Sequence, residues 1–214
     1  MKALLYKQFR LVCHPMTLVF CLFGAMFIIP SYPYTVTYFY VTLGIFFTFT
    51  NMREQRDIYY AALLPIRKRD TVRASVLFLA IIELATLVLA VPFAVLSVHI
   101  NPKDGNIVGL DPNVALFAAG FLLFALFNAI FLCSFYKTAY KVGISYLKAV
   151  IPMALGMMLC EALVHFPGMA WLDAVDRANQ MKQLPILIVA IMVYAVGLLL
   201  TYRCAAKRYE KVDL

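Results

Sequence analysis

Six stretches of this chain run for a helix length or more without a Lys or Arg: Met16–Ile29, Tyr34–Thr50, Ser75–Val98, Val114–Phe135, Ala149–Phe166 and Leu184–Tyr202. Apolar runs of about 20 residues match a hydrocarbon layer of about 30 Å at 1.5 Å rise per helical residue. The sequence is 64% hydrophobic and 14% charged over 214 residues, whereas an ordinary soluble domain is about 45–50% apolar. Too little polar surface remains to enclose such a core in water, so lipid must cover most of it. The expected fold is an all-α integral membrane protein with six transmembrane helices in a single domain, residues 1–214. No Pro-, Gly- or Ser-rich linker divides the chain and no clear internal repeat appears.

Ahead of the first run, Met1–Cys13 alternates Leu4, Leu5, Phe9 and Val12 with Lys2, Lys7 and Arg10. Wound at 3.6 residues per turn, it has one apolar and one basic face, which suits an amphipathic helix lying in the membrane interface. His14-Pro15 then turns the chain into a first span that is short unless it borrows Leu11–Cys13. No A-x-A-like site follows before Pro30, so the run reads as a retained helix rather than a cleaved leader. The second run is rich in Tyr, Phe and Thr, which favour strands, but its length and unbroken apolarity favour a buried helix. The five cysteines, Cys13, Cys21, Cys133, Cys160 and Cys204, are odd in number and lie in or beside apolar runs. They read as small hydrophobic residues rather than a disulfide framework.

Orientation follows from Lys and Arg, which short loops retain on the cytoplasmic side. Three precede the first run, six lie between the second and third (Arg53, Arg56, Arg67, Lys68, Arg69, Arg73), three lie between the fourth and fifth, and four follow the last. Alternate loops hold only Lys103, Arg177 and Lys182. A division of sixteen to three places both termini in the cytoplasm of a plasma-membrane protein. The net charge of +8 is thereby a topology signal divided among short loops, and nucleic acid is not an expected partner.

Catalytic patterns are missing: no H-E-x-x-H, no G-x-S-x-G, no C-x-x-C and no paired carboxylates at helical spacing within a run. No metal site is expected. Nor is there a G-x-x-x-x-G-K-[ST] loop to cradle nucleotide phosphates, so any use of ATP must come from a partner. The most patterned segment is Asn51–Arg73. Its charged half, Arg53, Glu54, Arg56 and Asp57, leads into an apolar-aromatic half, Ile58–Leu64, ended by Pro65. A short helix here would expose Tyr59, Tyr60 and Leu64 as anchors, with the charges as a rim, which suits a protein partner. Headgroup binding and topology explain Arg67–Arg69 well but Tyr59 and Tyr60 less well.

At this point the chain resembles the permease subunits of ABC-2-type transporters, in particular the small bacterial six-helix permeases of phenol-soluble modulin exporters. The resemblance rests on the block Asp57-Ile58-Tyr59-Tyr60 through Leu64-Pro65-Ile66-Arg67-Lys68-Arg69-Asp70. It rests also on the interfacial N-terminal helix and on the closing Tyr209-Glu210-Lys211-Val212-Asp213-Leu214. It implies that the segment between the second and third helices contacts a separate cytosolic ATPase, and that two permeases, identical or not, combine with two ATPase copies that bind the ATP and Mg. Pro167–Gln183, with Trp171, corresponds to that family's extracellular region before the last helix.

Within the apolar runs, Glu83 and Glu161 are the acidic residues, each costing about 2.5–3.5 kcal/mol at a bilayer centre. Glu161 and His165 stand four apart on one helical face and could share a proton or line a cargo path. Alternatively, Glu161 packs against a neighbouring helix while His165 reaches the interface. Asn128 is a further cargo-path candidate, although interhelical hydrogen bonding is its commoner use. Met153, Met157 and Met158 fill gaps or line a pliable path. The expected function is the permease of an exporter of hydrophobic or amphipathic cargo, peptides or drugs. The alternatives are a self-sufficient proton-coupled carrier using Glu83, Glu161 and His165, and a membrane scaffold without transport.

Overall fold

The structure, a computed structural model, describes residues 1–30, 32–101, 106 and 108–212. Among them every regular element is helical. The chain starts with α1 (Lys2–Lys7), which loosens into a π turn, Gln8–Val12, where the Cys13 N–H reaches back five residues to the Gln8 carbonyl at 2.8 Å. A sharp bend follows. Pro15 sets the first position of α2 (Pro15–Cys21), and the His14 ring accepts from the Met16 N–H at 3.2 Å, capping donors that have no partner within the helix. Helix α2 tightens into a 3-10 segment, Leu22–Ile28, and the limbs Lys2–Val12 and Pro15–Ile28 stand 96° apart.

The remaining elements are α3 (Val36–Glu54), α4 (Asp57–Leu63), α5 (Lys68–Ile100), α6 (Val114–Phe135), α7 (Val142–Leu163), a 3-10 turn at Ala170–Leu172, and α8 (Arg177–Glu210). Four helices, α5 to α8, are long and apolar enough to cross a membrane, and the bent N-terminal pair makes a fifth if it counts as one span. Six were expected. The first run begins just after the bend and is divided between α2 and the 3-10 segment, so neither piece alone is long enough to span. The second forms α3 at nineteen residues, but Thr37, Tyr38, Tyr40, Thr42, Thr48 and Thr50 dilute its hydropathy. Helix α6 has the bounds expected of its run. Helices α5 and α8 outrun theirs, extending to 33 and 34 residues, whereas α7 is shifted: it begins inside the basic segment Lys137–Lys148 and ends at Leu163, short of Phe166. Pro92, Pro152 and Pro185 all lie inside helices, as membrane helices tolerate.

Helix α6 is central, packed between α7 and α8. Its phenylalanines form much of the core: Phe127 stacks on Phe131 at 5.1 Å, and Phe131 and Phe135 meet Phe49 of α3 edge-on at 4.9 and 5.0 Å. By contrast, α8 keeps Ile188, Val189, Met192, Val196, Leu199 and Leu200 exposed, a wide apolar face suited to lipid. Helices α2 and α3 approach closely because Gly44 lacks a side chain; a Cβ there would lie 2.8 Å from the Thr17 Cα. The Thr17 hydroxyl fills the seam, donating to the Gly44 carbonyl at 2.7 Å.

Both ends of the described chain gather at one end of the bundle. Lys68 donates to the Val212 carbonyl at 2.6 Å, Arg208 donates to the Cys133 carbonyl at 2.7 Å, and Lys7 meets Asp57. Of the closing hexapeptide Tyr209–Leu214, Asp213 and Leu214 lie outside the described residues, as does Lys103 in the charge count.

Candidate docking helix and buried polar networks

The segment expected to meet a partner is a discrete helix joined to α3 and α5 by tight turns. Arg56 takes a left-handed conformation, φ +52°, which few residues other than glycine adopt, and so breaks the helix between α3 and α4. Leu64 is extended, as expected before Pro65. Across α4 the faces divide. Asp57, Ile58 and Ala61 turn inward and are buried, whereas Tyr59, Tyr60, Leu63 and Leu64 are each more than half exposed. Arg53, Glu54 and Arg56 are exposed beside them. Asp57 therefore differs from its expected place on the rim. Its carboxylate takes the Lys7 ammonium at 2.8 and 2.9 Å and pins α4 to the N-terminal limb. Leu63 completes the outward face and was missed. Its spacing of four from Tyr59 was the available signal.

Midway along α5, Glu83 is fully buried. One carboxyl oxygen, Oε2, accepts from Asn128 Nδ2 of α6 at 2.9 Å and from the Tyr194 hydroxyl of α8 at 2.6 Å. Three helices are thus joined by one side chain. Glu83 Oε1 and Asn128 Oδ1 find no partner among the described residues. Sequence reasoning selected Glu83 and Asn128 but passed over Tyr194, which nothing local separates from the other tyrosines.

Glu161 occupies a different level. It sits in the last turn of α7, at the bundle end opposite the termini, and not deep in a run as expected. Its Oε1 accepts from the Thr35 hydroxyl at 2.7 Å and the Thr35 N–H at 3.3 Å, and its Oε2 from the Leu110 N–H at 2.8 Å. Gly109 is what lets the loop approach: a Cβ at that position would overlap the carboxylate. His165 lies beyond the end of α7, exposed, and forms no hydrogen bond or ion pair with Glu161 among the described residues. Glu83 and Glu161 share no partner either, so the geometry gives a proton relay through these three residues no support.

The same end is closed by groups that the sequence did not single out. Buried Gln183 donates to the carbonyls of Trp171, Leu172 and Ala174 at 2.8, 3.2 and 3.1 Å and accepts from the Ala115 N–H at 3.1 Å. Asp173 accepts from the Asp111 N–H at 2.7 Å. Burial pushes both carboxyls above the usual range; the neighbouring Asp173 charge raises Asp111 further, and the Glu161 charge raises Asp173 further.

Long apolar helices with an outward lipid face, buried polar ties between them and a short exposed helix at one end define a multi-pass helical membrane protein. The model of the ABC-2 family transporter protein matches residues 3–210. The chain belongs to this family of membrane-transport components. No curated protein and no solved structure matches it.

Proposed function

We propose that this chain is the membrane-spanning permease subunit of an ATP-binding-cassette exporter. It crosses the membrane of a bacterial cell six times, with α1 in the interface and both termini cytoplasmic. The energy comes from ATP and Mg held by two copies of a separate cytosolic ATPase, and a second permease, identical or sister, completes the path. The cargo is hydrophobic or amphipathic, such as peptides of the phenol-soluble modulin type or drugs, and passes between the two permeases.

The observation that carries this reading is α4. Tyr59, Tyr60 and Leu63 face outward from a helix of seven residues fixed to the bundle by Asp57 and Lys7, with exposed Leu64 directly after it, and such anchors ordinarily fill a groove on a partner. Four residues, Leu64–Arg67, join α4 to α5, which continues for 33 residues to the far end and is tied midway to α6 and α8 through Glu83. A push on α4 would tilt α5 as a rod and carry its neighbours with it.

The experiment is capture of the ATPase by Tyr59→Ala with Tyr60→Ala, after the variant is shown to be monodisperse in detergent. Truncating interface anchors typically costs about 2 kcal/mol or more, so association should weaken on the order of thirty-fold and export should uncouple from hydrolysis. Unchanged ATPase binding and unchanged export in a folded variant would remove α4 as the docking element.

A further inference from the structure

Where α5 and α8 meet at the end that carries both termini, they leave a cavity of about 390 Å³ lined by Arg69, Tyr202, Arg203, Ala206, Lys207 and Glu210. Three of these six are cations and one is an anion. Arg203 and Lys207 stand four apart on α8, hence on one helical face, and both are exposed. Arg69 comes from the first turn of α5. Glu210 holds its guanidinium through Nε and Nη2, the latter at 3.2 Å, a two-pronged pairing that fixes the fork in direction as well as place. One positive charge is thereby offset, and the cavity keeps an excess of two.

Depth supplies the second observation. Tyr202 closes the uncharged run that begins at Leu184. From Arg203 toward the bilayer, the same face of α8 continues as Leu200, Leu199 and Val196, each more than half exposed. A single strip thus passes from hydrocarbon to converging cations where acyl chains give way to headgroups. Basic side chains that only snorkel from a helix end have no reason to converge from two helices on one cavity. A free anion would match the cations and leave the apolar strip bare.

We propose that this cavity binds the headgroup of an anionic phospholipid. Its phosphate lies among Arg69, Arg203 and Lys207, and its acyl chains follow Leu200, Leu199 and Val196. The inference needs neither the exporter reading nor the side of the membrane on which the termini lie. A lipid seated there bears on the Arg69–Glu210 pair, which joins the start of α5 to the end of α8.

Native mass spectrometry of the detergent-purified protein tests this, with phosphatidylglycerol, phosphatidylcholine of the same chains, and inorganic phosphate as separate probes. The parent should retain phosphatidylglycerol over phosphatidylcholine and show no comparable binding of inorganic phosphate. Arg203→Gln with Lys207→Gln should weaken phosphatidylglycerol on the order of thirty-fold. Lys137→Gln with Lys148→Gln, which removes two exposed charges elsewhere, should leave it nearly unchanged. Arg203→Lys with Lys207→Arg keeps the charge and should keep the lipid. The proposal is overturned by equal retention of the two lipids or by phosphate binding that the chains do not improve. It is overturned equally if the two neutralised pairs behave alike or if the charge-keeping exchange loses the lipid.

Discussion

The Lys7 ammonium lies 2.8 Å from the Asp57 carboxylate, fifty residues along the chain, and this pair holds α4 against the N-terminal limb. Both side chains are mostly withdrawn from solvent, so removing one leaves the other's charge without its partner. Asp57→Ala should cost about 1–3 kcal/mol and free α4. Trypsin should then cut within Arg53–Arg67 faster than in the parent, while membrane insertion is unaffected. The exchange Lys7→Asp with Asp57→Lys should restore much of the protection. Equal cutting of the parent and Asp57→Ala would show that α4 is held by Ile58 and Ala61 packing instead.

Topology is testable where the two ends of the bundle are exposed. Gln55 lies beside α4, and Ala178 lies in the first turn of α8. In a background with all five cysteines replaced, Ala178→Cys should react with a membrane-impermeant maleimide on intact cells. Gln55→Cys should react only after lysis. Reaction of both from outside would invert or break the order of crossings that the sixteen-to-three division of basic residues implies.

Glu83 bears on how the bundle holds together. Glu83→Gln preserves volume and can still accept from Asn128 and Tyr194 through its amide oxygen. It should leave thermal stability in detergent within about 0.5 kcal/mol of the parent. Glu83→Leu strands the Asn128 amide and the Tyr194 hydroxyl in a buried site and should cost about 1–3 kcal/mol. If Glu83→Leu melts with the parent, the three-helix tie contributes nothing measurable. If Glu83→Gln melts with Glu83→Leu, the acid itself is required.

Much of the architecture was legible because the bilayer imposes a local requirement. A crossing segment must satisfy its own backbone and present apolar side chains continuously, so the later runs announce their helices wherever they sit in the fold, as Val114–Phe135 does for α6. The short helix α4 was legible for a similarly local reason: Pro65 ends it, and its aromatic and charged halves adjoin in sequence. The chain's own residues thus determined an all-helical membrane protein with an exposed short helix between α3 and α5. Partnership, in contrast, belongs to tertiary structure. Glu161 looked like an acid within a span, yet packing brings it to Thr35, 126 positions away, and to the Leu110 N–H. Asp57 read as a surface charge until Lys7 covered it, and Tyr194 and Gln183 were two polar residues among many until α5 and the Trp171–Ala174 carbonyls came within reach. Helical periodicity says which residues share a face, but a hydrogen bond forms within about 3 Å, and only the packing of whole helices brings distant residues that close.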